Sequence, residues 1–184
     1  MTVTYNTLLP RTRYAFTLTS GTSWTVPAGV TYVNVTLMGG GGGGGGVCGG
    51  TSTTGVTGGG VGGTTSFTGA TSAVGGNGMS ANNLAVANGS FFSNGVVPTA
   101  NSGKGGATPF GTQISSTTPI TQNGNGSIGS DGQVITSTLA TTPGNSITYA
   151  IGAGGTAGTN GGGTSGSVVV QAGASGRIDL EYWV

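Results

Sequence analysis

The chain has 184 residues, 43 of them glycine, with three acidic and four basic side chains and a formal net charge of +1. Charged residues are only 4% of the total, against roughly 25% in ordinary soluble domains, which argues against both an electrostatic nucleic-acid binder and a disordered polyelectrolyte. Histidine is absent and Cys48 is the single cysteine, so neither an intramolecular disulfide nor a zinc site can be assembled.

The length is one domain's worth, with enough chain for a sandwich core. Residues 1–13 form a short polar arm. It reads either as a frayed terminus or as a docking arm, because Leu8 and Leu9 sit beside the closely spaced cations Arg11 and Arg13. The opening MTVTYNTLLPRTRY lacks the basic and apolar regions of a secretory signal. No apolar run approaches the roughly 20 residues needed to cross a bilayer. The expectation is a protein made in a cytoplasm and not inserted into a membrane.

Tyr14, Phe16 and Leu18 alternate with Ala15 and Thr17, the period of a first strand. Ser20-Gly21-Thr22-Ser23 turns the chain, and Trp24 and Val26 open the next element. Val26-Pro27-Ala28-Gly29 supplies another turn, with Pro27 fixing φ and Gly29 free to take positive φ. Val33, Val35 and Leu37 then alternate with Asn34 and Thr36, a strand with one buried face.

After Met38 come eight consecutive glycines, residues 39–46. Such a run cannot be a stable helix or a well-packed strand, because glycine is costly to order and projects nothing to pack. Two states remain: a flexible linker, or an extended three-fold rod laid against other backbones. At about 3.1 Å per residue a rod of eight spans about 25 Å. It persists only where neighbouring rods take up its peptide hydrogen bonds. Val47, Val56, Val61, Phe67 and Val74 punctuate the region, which a plain linker has no use for, so ordered rods are expected.

Between residues 47 and 145 the chain is low in complexity but not random. Gly62-Gly63-Thr64-Thr65-Ser66-Phe67 is echoed by Gly105-Gly106-Ala107-Thr108-Pro109-Phe110, and more weakly by Gly162-Gly163-Thr164-Ser165-Gly166-Ser167. The irregular spacing argues against a strict solenoid. Glycine pairs followed by Thr or Ser suit rods that are narrow where they touch and hydroxylated where they meet water. Residues 81–100 and 113–122 interrupt the pattern with branched residues and the pair Phe91-Phe92. They read either as additional strands or as exposed contact loops, in which Phe91, Phe92, Asn82, Asn83 and Asn94 are the receptor-contact candidates. Rings cover the apolar faces of sugars and amides bridge hydroxyls.

Residues 147–155, ITYAIGAGG, and 176–184, GRIDLEYWV, close the sequence. In the last strand Ile178, Leu180, Tyr182 and Val184 share one face, while Arg177, Asp179, Glu181 and Trp183 share the other. Asp179 and Glu181 invite reading as paired catalytic carboxylates, but a solvated face flanked by Arg177 explains them without a supporting pocket. The pair also offers too few oxygens for a calcium site. Poly-glycine satisfies G-x-G-x-x-G trivially, and the N-x-S/T triplets at Asn34, Asn88 and Asn125 are expected by chance in this composition. No catalytic residue, cofactor or metal is assigned.

Three pieces together resemble one family: VPAG-V-x-x-V-x-V running into poly-glycine, a strand ending in G-A-G-G, and a closing strand ending in an acid and a tyrosine. They are similar to the glycine-rich β-sandwich domain found at the ends of bacteriophage tail fibres. The resemblance spans residues 24–184, with residues 80–146 matching in composition alone. It implies bundled polyglycine-II rods, with receptor specificity in the loops between them.

The resulting expectation is a mainly β fold, a small antiparallel β-sandwich with polyglycine-II-like segments. Its domains are a docking arm at 1–13 and a sandwich at 14–184 with a low-complexity insertion at 39–145. The expected role is non-enzymatic, in a phage particle: a tail-fibre receptor-binding protein on the virion surface, assembled in the host cytoplasm. The alternative is a capsid decoration or head-fibre protein, and an antifreeze module is a distant third. Expected partners are other fibre, tail or capsid proteins and a host glycan or outer-membrane protein, with no nucleic acid. Low charge removes the usual repulsion between copies, so a homo-oligomer, most plausibly a trimer sharing a glycine axis, is expected.

Overall fold

The computed structural model describes residues 11–45, 48–49, 57–79, 122–123, 129–159 and 170–184. These form two antiparallel sheets packed as a sandwich, without helices. The larger sheet has the order β1 (Arg13–Leu18), β9 (Arg177–Trp183), β3 (Tyr32–Met38), β7 (Val134–Ala140). The smaller has the order β2 (Ser23–Thr25), β8 (Ser146–Ala150), β5 (Ser66–Phe67). A separate pair joins β4 (Cys48–Gly49) to β6 (Gln122–Asn123).

The period-2 pattern of β3 and β9 decides which face is buried. Val33, Val35 and Leu37 point inward beside Ile178, Leu180 and Tyr182, and all six are buried. From the other sheet Phe67 and Tyr149 close the core, with Val26, Val30 and Ala73 at its edges. Half-buried Trp24 bridges the layers, its ring 6.3 Å from Phe16, 6.3 Å from Phe67 and 5.9 Å from Tyr182. The turn before β3 forms as its residues dictate: Val30 N–H donates to the Pro27 carbonyl at 3.2 Å, and Gly29 takes φ +82°. Positive φ at the third turn position is what restricts that place to glycine.

At the end of β3 the side chains stop and the strand becomes a rod. Five further extended segments run beside it, each continuing the sandwich into the same bundle. Rod 1 is residues 39–44, rod 2 is 57–63, rod 3 is 74–79, rod 4 is 129–133, rod 5 is 152–158 and rod 6 is 171–176. Rods 1 and 5 extend β3 and β8 outward, while rods 4 and 6 lead back into β7 and β9.

Hydrogen bonding in the bundle repeats every third residue. Gly39 and Gly42 donate to Gln133 and Ser130 of rod 4, Gly40 and Gly43 to Gly63 and Gly60 of rod 2, and Gly41 and Gly44 to Ala174 and Gln171 of rod 6. In return, Gly40 and Gly43 accept from Gly76 and Met79 of rod 3, while Gly41 and Gly44 accept from Gly155 and Gly158 of rod 5. Three residues per turn is the polyglycine-II geometry, and the ordered alternative to a linker is therefore the one observed. Five rods surround the first, and every residue of rod 1 is buried.

This arrangement explains the composition. Rod 1 meets backbone on all sides, and a Cβ on Gly43 would lie 1.9 Å from the Thr156 carbonyl oxygen. The outer rods meet water along one side in three. In rod 5 and its end, Gly152, Gly155 and Gly158 are buried while Ala153, Thr156 and Thr159 are exposed. Rod 3 repeats this with Gly76 buried and Val74 and Asn77 exposed.

The range 39–145 is therefore not one excursion from the sandwich. Rods 1 to 4 lie within it, as do β5 and β7. β7 was hidden because its inward residues read Ile135, Ser137 and Leu139, so a serine interrupts the apolar alternation. Within this one chain, rod 1 is bonded by five rods of the chain's own.

Candidate functional site

The strand directions give the molecule two unlike poles. β9 leaves rod 6 at Arg177 and ends at Trp183, paired with Arg13 at the start of β1. Thr12 and Val184 exchange backbone hydrogen bonds of 2.9 and 3.0 Å just beyond. Both described chain ends thus lie at the pole remote from the rods. Tyr14, Tyr32, Trp183 and Val184 are exposed there.

The opposite pole is the far end of the bundle. Thr57 and Thr159 clasp rods 2 and 5 at that end, through a 2.9 Å hydroxyl contact and a 2.8 Å bond from Thr159 N–H to the Thr57 hydroxyl. The chain leaves the bundle here after rods 1, 3 and 5 and re-enters at rods 2, 4 and 6. Residues 46–56, 80–128 and 160–169 thus join the bundle at this one end, and apart from Cys48–Gly49 and Gln122–Asn123 they lie outside the described residues. The β4–β6 pairing links the first of these excursions to the second.

The receptor-contact candidates Asn82, Asn83, Phe91, Phe92 and Asn94 fall outside the described residues, as do Leu8 and Leu9 of the arm. Arg11 is exposed. Arg13 belongs to the sandwich rather than the arm: it opens β1 and forms an ion pair with Glu181.

Charge among the described residues concentrates on the outer face of the larger sheet, as the alternation in β9 requires. Asp179 receives the Arg177 Nε–H at 3.2 Å and the Thr17 hydroxyl at 2.6 Å. Thr138 donates to Asn34 at 2.8 Å alongside, and the Thr36 and Thr136 hydroxyls lie 3.2 Å apart. Arg13, Thr17, Asn34, Thr36, Asp179 and Glu181 line a shallow, open depression on this face. Both of its carboxylates are held by arginines, so it is a self-neutralising surface without an unpaired acid and base facing each other.

Sequence reasoning did not assign the Thr57–Thr159 clasp or the rod register. The signal was present as glycines at every third position, which sets the inward side of each outer rod. A scan against protein-family models finds no match, and no curated protein is detectably similar to the chain.

Proposed function

We propose that this chain is a non-enzymatic bacteriophage virion protein of the tail-fibre receptor-binding type. The observation carrying this reading is the two-pole architecture: described chain ends at one pole, and at the other the far end of the bundle, where rods 1, 3 and 5 stop and rods 2, 4 and 6 begin. A rod bundle whose central rod donates every N–H to a neighbour and accepts at Gly40, Gly41, Gly43 and Gly44 is a firm pedestal, and recognition is commonly built on loops held by such a scaffold. The excursion between rods 3 and 4 has the aromatic and amide residues suited to a glycan or an outer-membrane protein surface. The described chain begins at the opposite pole, and a docking arm there would meet a carrier fibre without obstructing the tip.

Two measurements test this. Antibody-labelled particles viewed by electron microscopy should show label at fibre ends. Label distributed over the capsid would overturn the reading in favour of a decoration protein. Purified chain should also bind host cells and block adsorption, and the double variant Phe91→Ala/Phe92→Ala should lose that binding at unchanged melting temperature.

A further inference from the structure

We infer that the free edge of β7 is a self-recognition surface, joining two copies of this chain through an antiparallel β7–β7 pair. The argument starts from which backbone groups face outward. Gly39 N–H donates to the Gln133 carbonyl, and Thr141 N–H donates to the Thr31 carbonyl, at the two ends of the β3–β7 ladder. Odd-numbered positions of β7 therefore turn their peptide groups toward β3. Val134, Thr136, Thr138 and Ala140 turn theirs to the open side, by the alternation of an antiparallel ladder. Among the described residues no strand occupies that side.

An open edge accepts another strand unless something blocks it, such as charge, proline, a bulge or shortness. The other edges of the sandwich have such protection: β2 is three residues, β5 is two, and β1 carries Arg13. β7 is seven residues, VITSTLA, without charge or proline.

The occupant follows from the strand's own sequence, which is palindromic in chemical type about Ser137. Turned end for end against a second copy, Val134 faces Ala140, Ile135 faces Leu139, Thr136 faces Thr138, and Ser137 faces itself. The four outward-facing residues then fall in the hydrogen-bonded pairs and Ser137 in a non-hydrogen-bonded one, so register and bond direction agree. Apolar Ile135 and Leu139, half-buried in one copy, meet on the core side, and the threonines extend the hydroxyl rows of the outer face. The product is a continuous sheet through two sandwiches, with the two rod bundles pointing in opposite directions. The inference goes beyond the receptor-binding proposal and does not rest on it.

Sedimentation of the full chain at tens of micromolar should give twice the 17.5 kDa chain mass. Thr136→Pro removes an N–H that β3 does not use, at a position where an edge strand tolerates proline, and should weaken the dimer at least tenfold. In a Cys48→Ser background, Ser137→Cys should form a disulfide-linked dimer on mild oxidation. Non-hydrogen-bonded partners have Cα atoms about 4.5 Å apart, within disulfide reach. A monomer or a trimer would overturn the inference. So would a dimer that Ser137→Cys does not crosslink, a result that decides the matter even where Thr136→Pro fails to fold.

Discussion

The Thr65 hydroxyl accepts the Gly152 N–H at 3.0 Å, and Thr65 is completely buried. This bond lies at the seam where β8 becomes rod 5 and rod 2 becomes β5. Thr65 also exchanges both backbone bonds with Ala73, at 2.9 Å each, which leaves its side chain to satisfy the first amide of the neighbouring rod. Thr65→Val keeps the shape and removes the acceptor. An unsatisfied buried N–H costs roughly 1–3 kcal/mol, and in a chain of this size each kcal/mol lowers the melting temperature by about 2–4 °C. Thermal unfolding should show that loss for Thr65→Val and little loss for Thr65→Ser. Equal melting temperatures would remove Thr65 from its place as the seam's acceptor.

Glycine in the central rod is required for closeness rather than for backbone angle. Positive φ among the described glycines is confined to Gly21, Gly29, Gly69 and Gly144, none of them in a rod. Gly43→Ala should therefore destabilise by about 1–3 kcal/mol or more through overpacking, and Gly42→Val should prevent folding. Val61→Thr, at an exposed outward position of rod 2, should change stability by less than about 0.5 kcal/mol. Denaturant midpoints for Gly43→Ala and Val61→Thr, and the absence of a cooperative transition for Gly42→Val, test the ordering.

Amide hydrogen exchange gives a direct reading of the bundle. Residues 39–44 each donate an N–H to a neighbouring rod, so their exchange should be slowed at least a hundredfold, as in the strands of the core. Complete exchange of these amides within seconds would leave the glycine run a linker in solution.

The charged outer face should contribute little to stability. Arg13 is largely exposed and Glu181 partly so, and such pairs contribute about 0–1 kcal/mol. Glu181→Gln should accordingly shift unfolding by no more than about 1 kcal/mol, with the shift shrinking further in high salt. A larger loss would mean the pair orders β1 against β9.

Much of the sandwich was legible because alternation is a direct image of a sheet with one wet face. β1, β3 and β9 could be read from Tyr14 to Leu18, Val33 to Leu37 and Ile178 to Tyr182, and the turn at Gly29 from its residues. β7 was not, since Ser137 takes an inward place normally held by an apolar residue, and an edge strand tolerates this. β5 was not, because two residues show no period, although Phe67 is among the largest buried side chains. The rods were legible in kind but not in partnership. Triplet spacing such as Gly152, Gly155 and Gly158 says which side of a rod is narrow, but not which rod lies against it. That choice is made by the sandwich, which fixes where each rod begins.

The three-fold hydrogen-bond repeat also sets rules for how such a chain can change length. Removing one residue from rod 1 would rotate every later amide by a third of a turn and aim it at the wrong neighbour. Gly43, bonded to rod 2, would then offer its N–H toward rod 4. Removing three residues restores every pairing and shortens the rod by about 9 Å. Antiparallel neighbours would have to lose matching triplets to stay level. Lineages of this fold should therefore lengthen or shorten their bundles in coordinated steps of three.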